Sequence, residues 1–287
     1  MIHGDSLLDS IRKNIAEFIE TRKEQPVKKY MAVPYTKVLK AAGDNWHKLR
    51  YEMLPLNNRV VFSGGYGYYN HFRFSVSGDY TIRFHNPCKG YYREAPPNEG
   101  LLEYFRGLNL KKYQCGNKIY DKQRSFDLVG LQYLLPKMFG WQKQFLSGLE
   151  KYTVLAAHPA YTDEQNQQYF DALSSVIPDL KDNCELAIGY DLDDLIDKCD
   201  TFYTHDSASM VPAIIKGKRV AALSLNPWSD IVNPEPRVVP DEELSQFLNW
   251  WYNRVVIDID QEGYAERIDQ RIKYLMDGGS EDDLWRW

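Results

Sequence analysis

Cysteine is scarce in this 287-residue chain, with only 4 residues, Cys88, Cys115, Cys184 and Cys199, and no two of them in a C-x-x-C pair. That spacing argues against a dense disulfide framework and against a thiolate zinc site, and it fits a reducing compartment. No apolar run approaches the length of a membrane span, and the first residues lack the apolar stretch of a signal peptide. A soluble protein of the cytoplasm is therefore expected. The formal net charge is −5, which argues against coating nucleic acid by bulk electrostatics and leaves room only for a local basic cleft. The glycine-rich stretch SGGYGYYNHFRF is not a G-x-G-x-x-G fingerprint and carries no dinucleotide meaning.

The length suits two domains of ordinary size, expected at 1–145 and 146–287. In the second range strands and helices alternate at short spacing. Residues 152–157 read as a strand, 165–176 as a helix capped by the polar run before it, 186–189 as a short strand and 191–199 as an acidic helix. A strand at 201–204, the helix MVPAII closing at Gly217, the strand RVAALSL and helices at 241–252 and 262–276 follow. Such alternation predicts an α/β fold with a parallel sheet covered by helices on both faces.

The first range is less regular. Leu7, Leu8, Ile11, Ile15, Phe18 and Ile19 share one helical face within 6–22. A short helix is expected in 37–50, strands at 57–62 and 79–85, a helix at 101–108 and a strand region at 111–120. The segment from 124 through LVGLQYLLPKMFG reads as helix or loop leading to the domain junction.

Two segments stand out chemically, VLAAHP at 154–159 and TFYTHDSASMVPAIIKGKRV at 201–220. A strand, a small polar turn and a helix present hydroxyls and unpaired N–H groups where the helix dipole favours a phosphate. The plainer account is an N-cap, the usual post of Ser and Asp at a helix start.

Together the two segments resemble the C-terminal donor domain of GT-B glycosyltransferases, in particular the capsule-polysaccharide (Kdo-transferase-like) and bacterial sialyltransferase-like groups. Those carry a strand ending in His-Pro, then a strand ending in a Ser/Thr pair, a helix and Gly-Lys-x-Val. The counterparts here are His158 and Pro159, then Ser207, Ser209, Ala213, Gly217, Lys218 and Val220. Pro212 stands where many relatives have a glutamate for the nucleotide ribose.

The resemblance implies a GT-B-like fold, two Rossmann-like parallel-sheet domains facing a cleft, the N-terminal one reduced. It implies a CMP- or UDP-linked sugar donor held by His158, Pro159, His205, Ser207, Ser209 and Lys218, with no metal and no cofactor beyond the nucleotide-sugar. On the acceptor side, Gly65, Tyr66, Tyr68 and Arg83 are the binding candidates, and Asp79 and His85 the candidates for a catalytic base. An ordinary tight βα turn accounts equally well for the glycines, and structural roles are the commoner account of the last two.

The acceptor is a hydroxyl on a glycan or on a hydroxymethylated base in DNA, as for some phage glycosyltransferases. For DNA, Lys28, Lys29, Lys37, Lys40, Lys111, Lys112 and Arg124 would supply phosphate contacts. A non-catalytic nucleotide-binding or interaction protein with the same fold is the alternative. The run Asp191, Asp193, Asp194, Asp197 and Asp200 reads as a solvated helix face rather than a metal cluster, because helical geometry does not bring all five to one point. The tail DDLWRW is expected to fold back on the body or meet a partner, and this tail or the N-terminal helix offers a homo-oligomer contact.

Overall fold

A computed structural model describes residues 37, 41, 49–51, 60–64, 71–76, 90–108, 116–131, 136–158, 161–205, 207–224, 226 and 228–287. The fold is α/β, and the chain divides into two compact units, Met1–Lys28 with Tyr113–Thr204, and Lys29–Lys112 with His205–Trp287.

The first unit is built on strands β4 (Asp127–Gly130), β5 (Thr153–Ala156), β6 (Cys184–Ala187) and β7 (Thr201–Thr204). They lie side by side in the order β6-β5-β4-β7, all parallel. Helix α2 (Pro136–Leu146) connects β4 to β5, α3 (Asp163–Ser174) and α4 (Leu180–Asn183) connect β5 to β6, and α5 (Leu192–Lys198) connects β6 to β7. Parallel neighbours need such crossovers, and a sheet covered by helices loses its alternation and reads as short apolar runs. Val129, Leu155, Phe170, Leu173, Ile177 and Leu180 form the core between sheet and helices. Each such side chain contributes on the order of 1.5–3 kcal/mol through burial.

β4 corrects the expectation of helix or loop in this stretch. Its apolar run is only four residues long, too short for periodicity to separate strand from buried helix. It is nonetheless a central strand, bonded to β5 and β7. The expected boundary at 145/146 therefore falls between two paired strands. The strand expected at 186–189 lies at Cys184–Ala187 instead. Within 116–120 the pairing is a single parallel bridge, Lys118 to Tyr190. Gly116 is required there, because a Cβ would stand 1.7 Å from the Gly189 carbonyl oxygen.

The second unit contains the short strand β8 (Arg219–Ala222) and a mixed sheet, β1 (Leu49–Tyr51), β2 (Val60–Gly64), β3 (His71–Val76) and β9 (Val256–Asp258), in that order. β1 and β2 are parallel, but β2 with β3 and β3 with β9 are antiparallel. A second parallel, Rossmann-like sheet is thus corrected to a mixed one. Residues 65–70 alone separate β2 from β3, too few for the dozen or more of a parallel crossover. The glycine-rich stretch accordingly joins two antiparallel strands rather than a strand and a helix. Within 37–50, Lys37 and Ala41 are helical, while Leu49 and Arg50 belong to β1.

Helix α1 (Glu99–Gly107) starts at Asn98, whose side chain caps Leu101 N–H, and packs against α7 (Asp241–Trp250). α7 continues into a π-helical turn, Trp251–Val255. Around it Trp228, Phe247, Trp250 and Trp251 form an aromatic core, with Phe247 centred 4.8 Å from Trp228. Helix α8 (Tyr264–Met276) lays Ile268, Ile272 and Leu275 on Ile257 and Ile259. The tail does fold back: α9 (Glu281–Trp285) buries Trp285, whose carbonyl accepts a 2.6 Å hydrogen bond from Trp250 Nε1.

Candidate functional site

β5 and β7 flank β4 in parallel, so the chain leaves both strands at the same edge of the sheet. His158 follows β5 and His205 follows β7.

The peptide of His158 is held by a side chain that the sequence reading passed over. Asn166 Oδ1 accepts the His158 N–H at 2.9 Å, and Asn166 Nδ2 donates to the His158 carbonyl at 3.3 Å. The imidazole lies edge-on to Tyr161, ring centroids 5.2 Å apart. Thr162 and Gln165 start α3 with a reciprocal capping box, as the polar run predicted. A signal for Asn166 was present: asparagine is a poor helix former, and one placed inside a helix asks for a side-chain bond to backbone.

After β7 the turn is built on hydroxyls. Ser207 Oγ accepts from Ser209 Oγ at 2.9 Å and from Ser209 N–H at 3.3 Å, while the Ser207 carbonyl accepts from Met210 N–H at 3.1 Å. Accepting an N–H two residues on is what a capping serine does, so Ser207 fulfils the plainer account. Ser209, the last residue before α6 (Met210–Ile215), makes no side-chain capping bond. Ser224, also missed, braces the turn: its N–H donates to the His205 carbonyl at 3.0 Å and its Oγ lies 3.1 Å from His205 Nδ1.

α6 has six residues, all buried. Pro212 sits in its first turn, where a missing N–H costs no helical bond. Gly217 ends it at φ 70°, with Lys218 N–H bonded to Ala213 O and Gly217 N–H to Ile214 O, both at 2.9 Å. That pairing is a Schellman motif, which explains Gly-Lys by helix termination. Lys218 therefore lies beyond the other end of the helix from Ser209, roughly 9 Å along its axis.

The remaining candidates divide clearly. Gly65, Tyr66, Tyr68, Asp79, Arg83, His85 and Pro159 lie outside the described residues, as do 6–22, Lys28, Lys29, Lys40, Lys111 and Lys112. Lys37 pairs with Asp260 at 3.4 Å, and the Arg124 guanidinium lies 3.2 Å from the Tyr152 ring centre. Arg237 pairs with Glu243, which also accepts from the Tyr92 hydroxyl at 2.9 Å. Among the aspartates, Asp191 caps α5, Asp194 takes the Tyr120 N–H at 2.7 Å and Lys198 at 2.7 Å, and Asp200 pairs with Lys151 at 3.6 Å. Among the described residues no three His, Cys, Asp or Glu side chains are arranged to hold a metal ion, and no helix is long and apolar enough to cross a membrane.

Solved structures to which the chain is similar include two glycosyltransferases. One is the glycosyltransferase SnogD from Streptomyces nogalater, at 12% identity and a TM-score of 0.27 over 57% of this chain and 41% of that one. The other is the glycotransferase of kitacinnamycin, at 16% identity and a TM-score of 0.27 over 62% of this chain and 46% of that one. The chain spans under half the length of either structure. No protein-family model matches the sequence, and no curated protein matches it. A functional reading rests on the chain's own residues.

Burial raises the Tyr169 phenol on α3 well above its usual range, and a further group of perturbed side chains lies near the strand starts. Burial drives the Asp127 carboxyl above its usual range, against the opposing pull of Lys151 and Thr201. Burial also raises the Tyr120 phenol, with the Glu185 carboxylate adding to it. Burial would raise Glu185 too, but Lys122, Tyr120 and Tyr152 outweigh it and leave that carboxyl below its usual range.

Proposed function

We propose that the chain is a GT-B-type glycosyltransferase that moves a sugar from a CMP- or UDP-linked donor to an acceptor hydroxyl in the cytoplasm. The observation that carries this reading is the strand order β6-β5-β4-β7. Succession runs one way from β4 through β5 to β6, then reverses to place β7 on the other side of β4. Open α/β sheets bind ligands beyond the carboxyl ends of their strands at such a reversal. The sequence places His158, His205, Ser207 and Ser209 directly after β5 and β7, and their resemblance to the donor segments of these enzymes supplies the ligand class.

The chemistry follows from the bond broken. As the sugar leaves, positive charge develops on its ring and negative charge on the departing phosphate. Donors set in place beforehand stabilise that charge with little reorganisation. His158 and the Ser207 and Ser209 hydroxyls fill this role, and the reading includes no metal. Asp79 or His85 takes the acceptor proton, with Gly65, Tyr66, Tyr68 and Arg83 on the acceptor, a glycan or a hydroxymethylated DNA base.

Calorimetry with CMP and UDP tests the donor half. One of the two should bind, and His158→Ala or Ser207→Ala should weaken it at least tenfold while the variants still unfold cooperatively. If neither nucleotide binds the intact chain, the proposal fails. Mass spectrometry after incubation with nucleotide-sugars and either glycans or hydroxymethylcytosine DNA then identifies the acceptor.

One observation favours a second reading, a nucleotide-binding protein without transferase activity. Position 212 is a proline sealed inside a fully buried helix, so no carboxylate from that position meets a ribose. Nucleotide binding without transfer to any acceptor would select it.

A further inference from the structure

Asn166 is the one side chain among the described residues that grips the peptide of a candidate donor contact from both sides. Its side chain lies on α3 and the residue is only 5% exposed. The carboxamide accepts the His158 N–H at 2.9 Å and donates back to the His158 carbonyl at 3.3 Å. Nδ2 also donates to the Thr162 carbonyl at 3.1 Å, the carbonyl that accepts the Asn166 backbone N–H at 3.0 Å. A strand neighbour gives Ala157 its bond, N–H to the Ala187 carbonyl at 3.1 Å. At His158 the sheet's own pairing stops, and a side-chain amide takes over with the same two-way exchange that paired strands make.

The chemistry of this contact is selective. It needs one acceptor and two donors on one flat group, which only a carboxamide provides. An aspartate would keep the acceptor but set a buried carboxylate against two carbonyl oxygens. An alanine would take this partner from the part-buried His158 N–H, where an unmet polar group is costly, while the His158 carbonyl would keep its 3.0 Å bond from Tyr161 N–H. The arrangement is thus more than a helix cap, since Thr162 and Gln165 already satisfy the first turn of α3.

We infer that Asn166 is a positioning residue for the phosphate end of the donor: by fixing the His158 peptide it sets where the imidazole points at the carboxyl edge of the sheet. This rests on the donor-binding reading of His158 given above. The ligand class is a nucleoside mono- or diphosphate, and Asn166 acts on it only through His158.

The test uses the full chain. The His158 amide in the unaltered protein should be protected from hydrogen exchange to the same degree as β5; exchange at the rate of an unstructured peptide would overturn the inference whatever any variant does. Asn166→Ala should speed exchange at that amide at least tenfold and move the ring-nitrogen resonances of His158, with the β6 and β7 amides unchanged. It should also weaken CMP or UDP binding about tenfold, and Asn166→Asp should weaken it further by bringing negative charge towards the phosphate. A folded Asn166→Ala chain with unchanged His158 resonances, or with unchanged nucleotide affinity, would overturn the positioning role. If the unaltered chain binds neither nucleotide, the donor reading falls, and the role in donor positioning falls with it. In that case the exchange and ring-nitrogen measurements still report whether the clamp itself exists.

Discussion

The starts and the carboxyl ends of the parallel strands are furnished differently. Asp127, Tyr152, Glu185 and Asp200 each lie within two residues of a strand start, and charged partners crowd around them. Lys122 pairs with Glu185, Lys151 with Asp200, and Arg124 covers Tyr152. After the carboxyl ends of β5 and β7 come imidazoles, a carboxamide and hydroxyls. The cluster of perturbed carboxyls and phenols there would by itself suggest the strand starts as a functional place. Strand topology marks the carboxyl ends. The conflict resolves once the partners are followed: charges fasten the segment 118–126 to β6 and α5, with Lys122 on Glu185, Lys198 Nζ on the Tyr120 carbonyl at 2.5 Å and Asp194 on its N–H. Charge that is consumed in holding the chain together is not on offer to a ligand.

The largest effect that would sharpen this contrast comes from behind the second turn. Ser224, which braces His205, is held through Asn226: Asn226 Nδ2 donates to the Ser224 carbonyl at 3.1 Å, and Asn226 Oδ1 accepts the Trp228 N–H at 2.8 Å. Trp228 is 0% exposed against Phe247 and Trp251. Trp228→Ala should cost about 3–5 kcal/mol in urea unfolding. Nucleotide affinity should fall with it, because the brace on His205 loosens. Loss of stability with affinity intact would separate the turn from its support.

Near the strand starts the expected outcome is the reverse, stability changes without any change in affinity. Glu185→Gln keeps the shape and removes the charge facing Lys122, at about 1–2 kcal/mol near neutral pH. The Glu185 carboxyl is held below its unfolded value, so its contribution is present above about pH 4.3 and is lost as pH falls through the folded value. The gap between the two proteins should accordingly close in acid. Asp127→Asn should act with the opposite sign. Burial holds that carboxyl above its unfolded value, so the native state is favoured at low pH and loses stability as pH rises from about 4 through the folded value. The asparagine variant should be more stable at pH 7 by up to about 1 kcal/mol. Weakened nucleotide binding in either variant would erase the distinction drawn between starts and ends.

How far the sequence discloses all this depends on the kind of signal. The α/β class and the helices α3, α5, α7 and α8 were legible, α3 and α5 through their caps Thr162 and Asp191, and α7 and α8 through apolar spacing over ten residues or more. β4 was not, since DLVG carries too few residues to show a period. β9 was hidden because its partner β3 lies far away in sequence, and only tertiary pairing makes three residues a strand. Within the candidate site, His158 and the serines were legible as types at a spacing. Asn166 gave only the hint of an asparagine inside a helix and Ser224 gave none, because their importance lies in which backbone atoms they meet. Gly217-Lys218 was read by resemblance for its ligand, whereas the structure gives the pair a helix-ending role.

The smallest expected change in stability belongs to Ser209, and it bears most directly on what the turn after β7 is for. A serine that caps a helix contributes about 1 kcal/mol. Ser207 accepts the Ser209 N–H and should show a loss of that size on replacement by alanine. Ser209 makes no capping bond, and its hydroxyl donates only sideways to Ser207 at 2.9 Å. Ser209→Ala should therefore shift stability by less than about 0.5 kcal/mol, as for a substitution that touches no cap or core. If the hydroxyl serves a phosphate, CMP or UDP affinity should nonetheless fall several-fold. Equal stability losses at 207 and 209 would make both serines caps. Unchanged affinity in Ser209→Ala would leave its hydroxyl with no part in holding the donor.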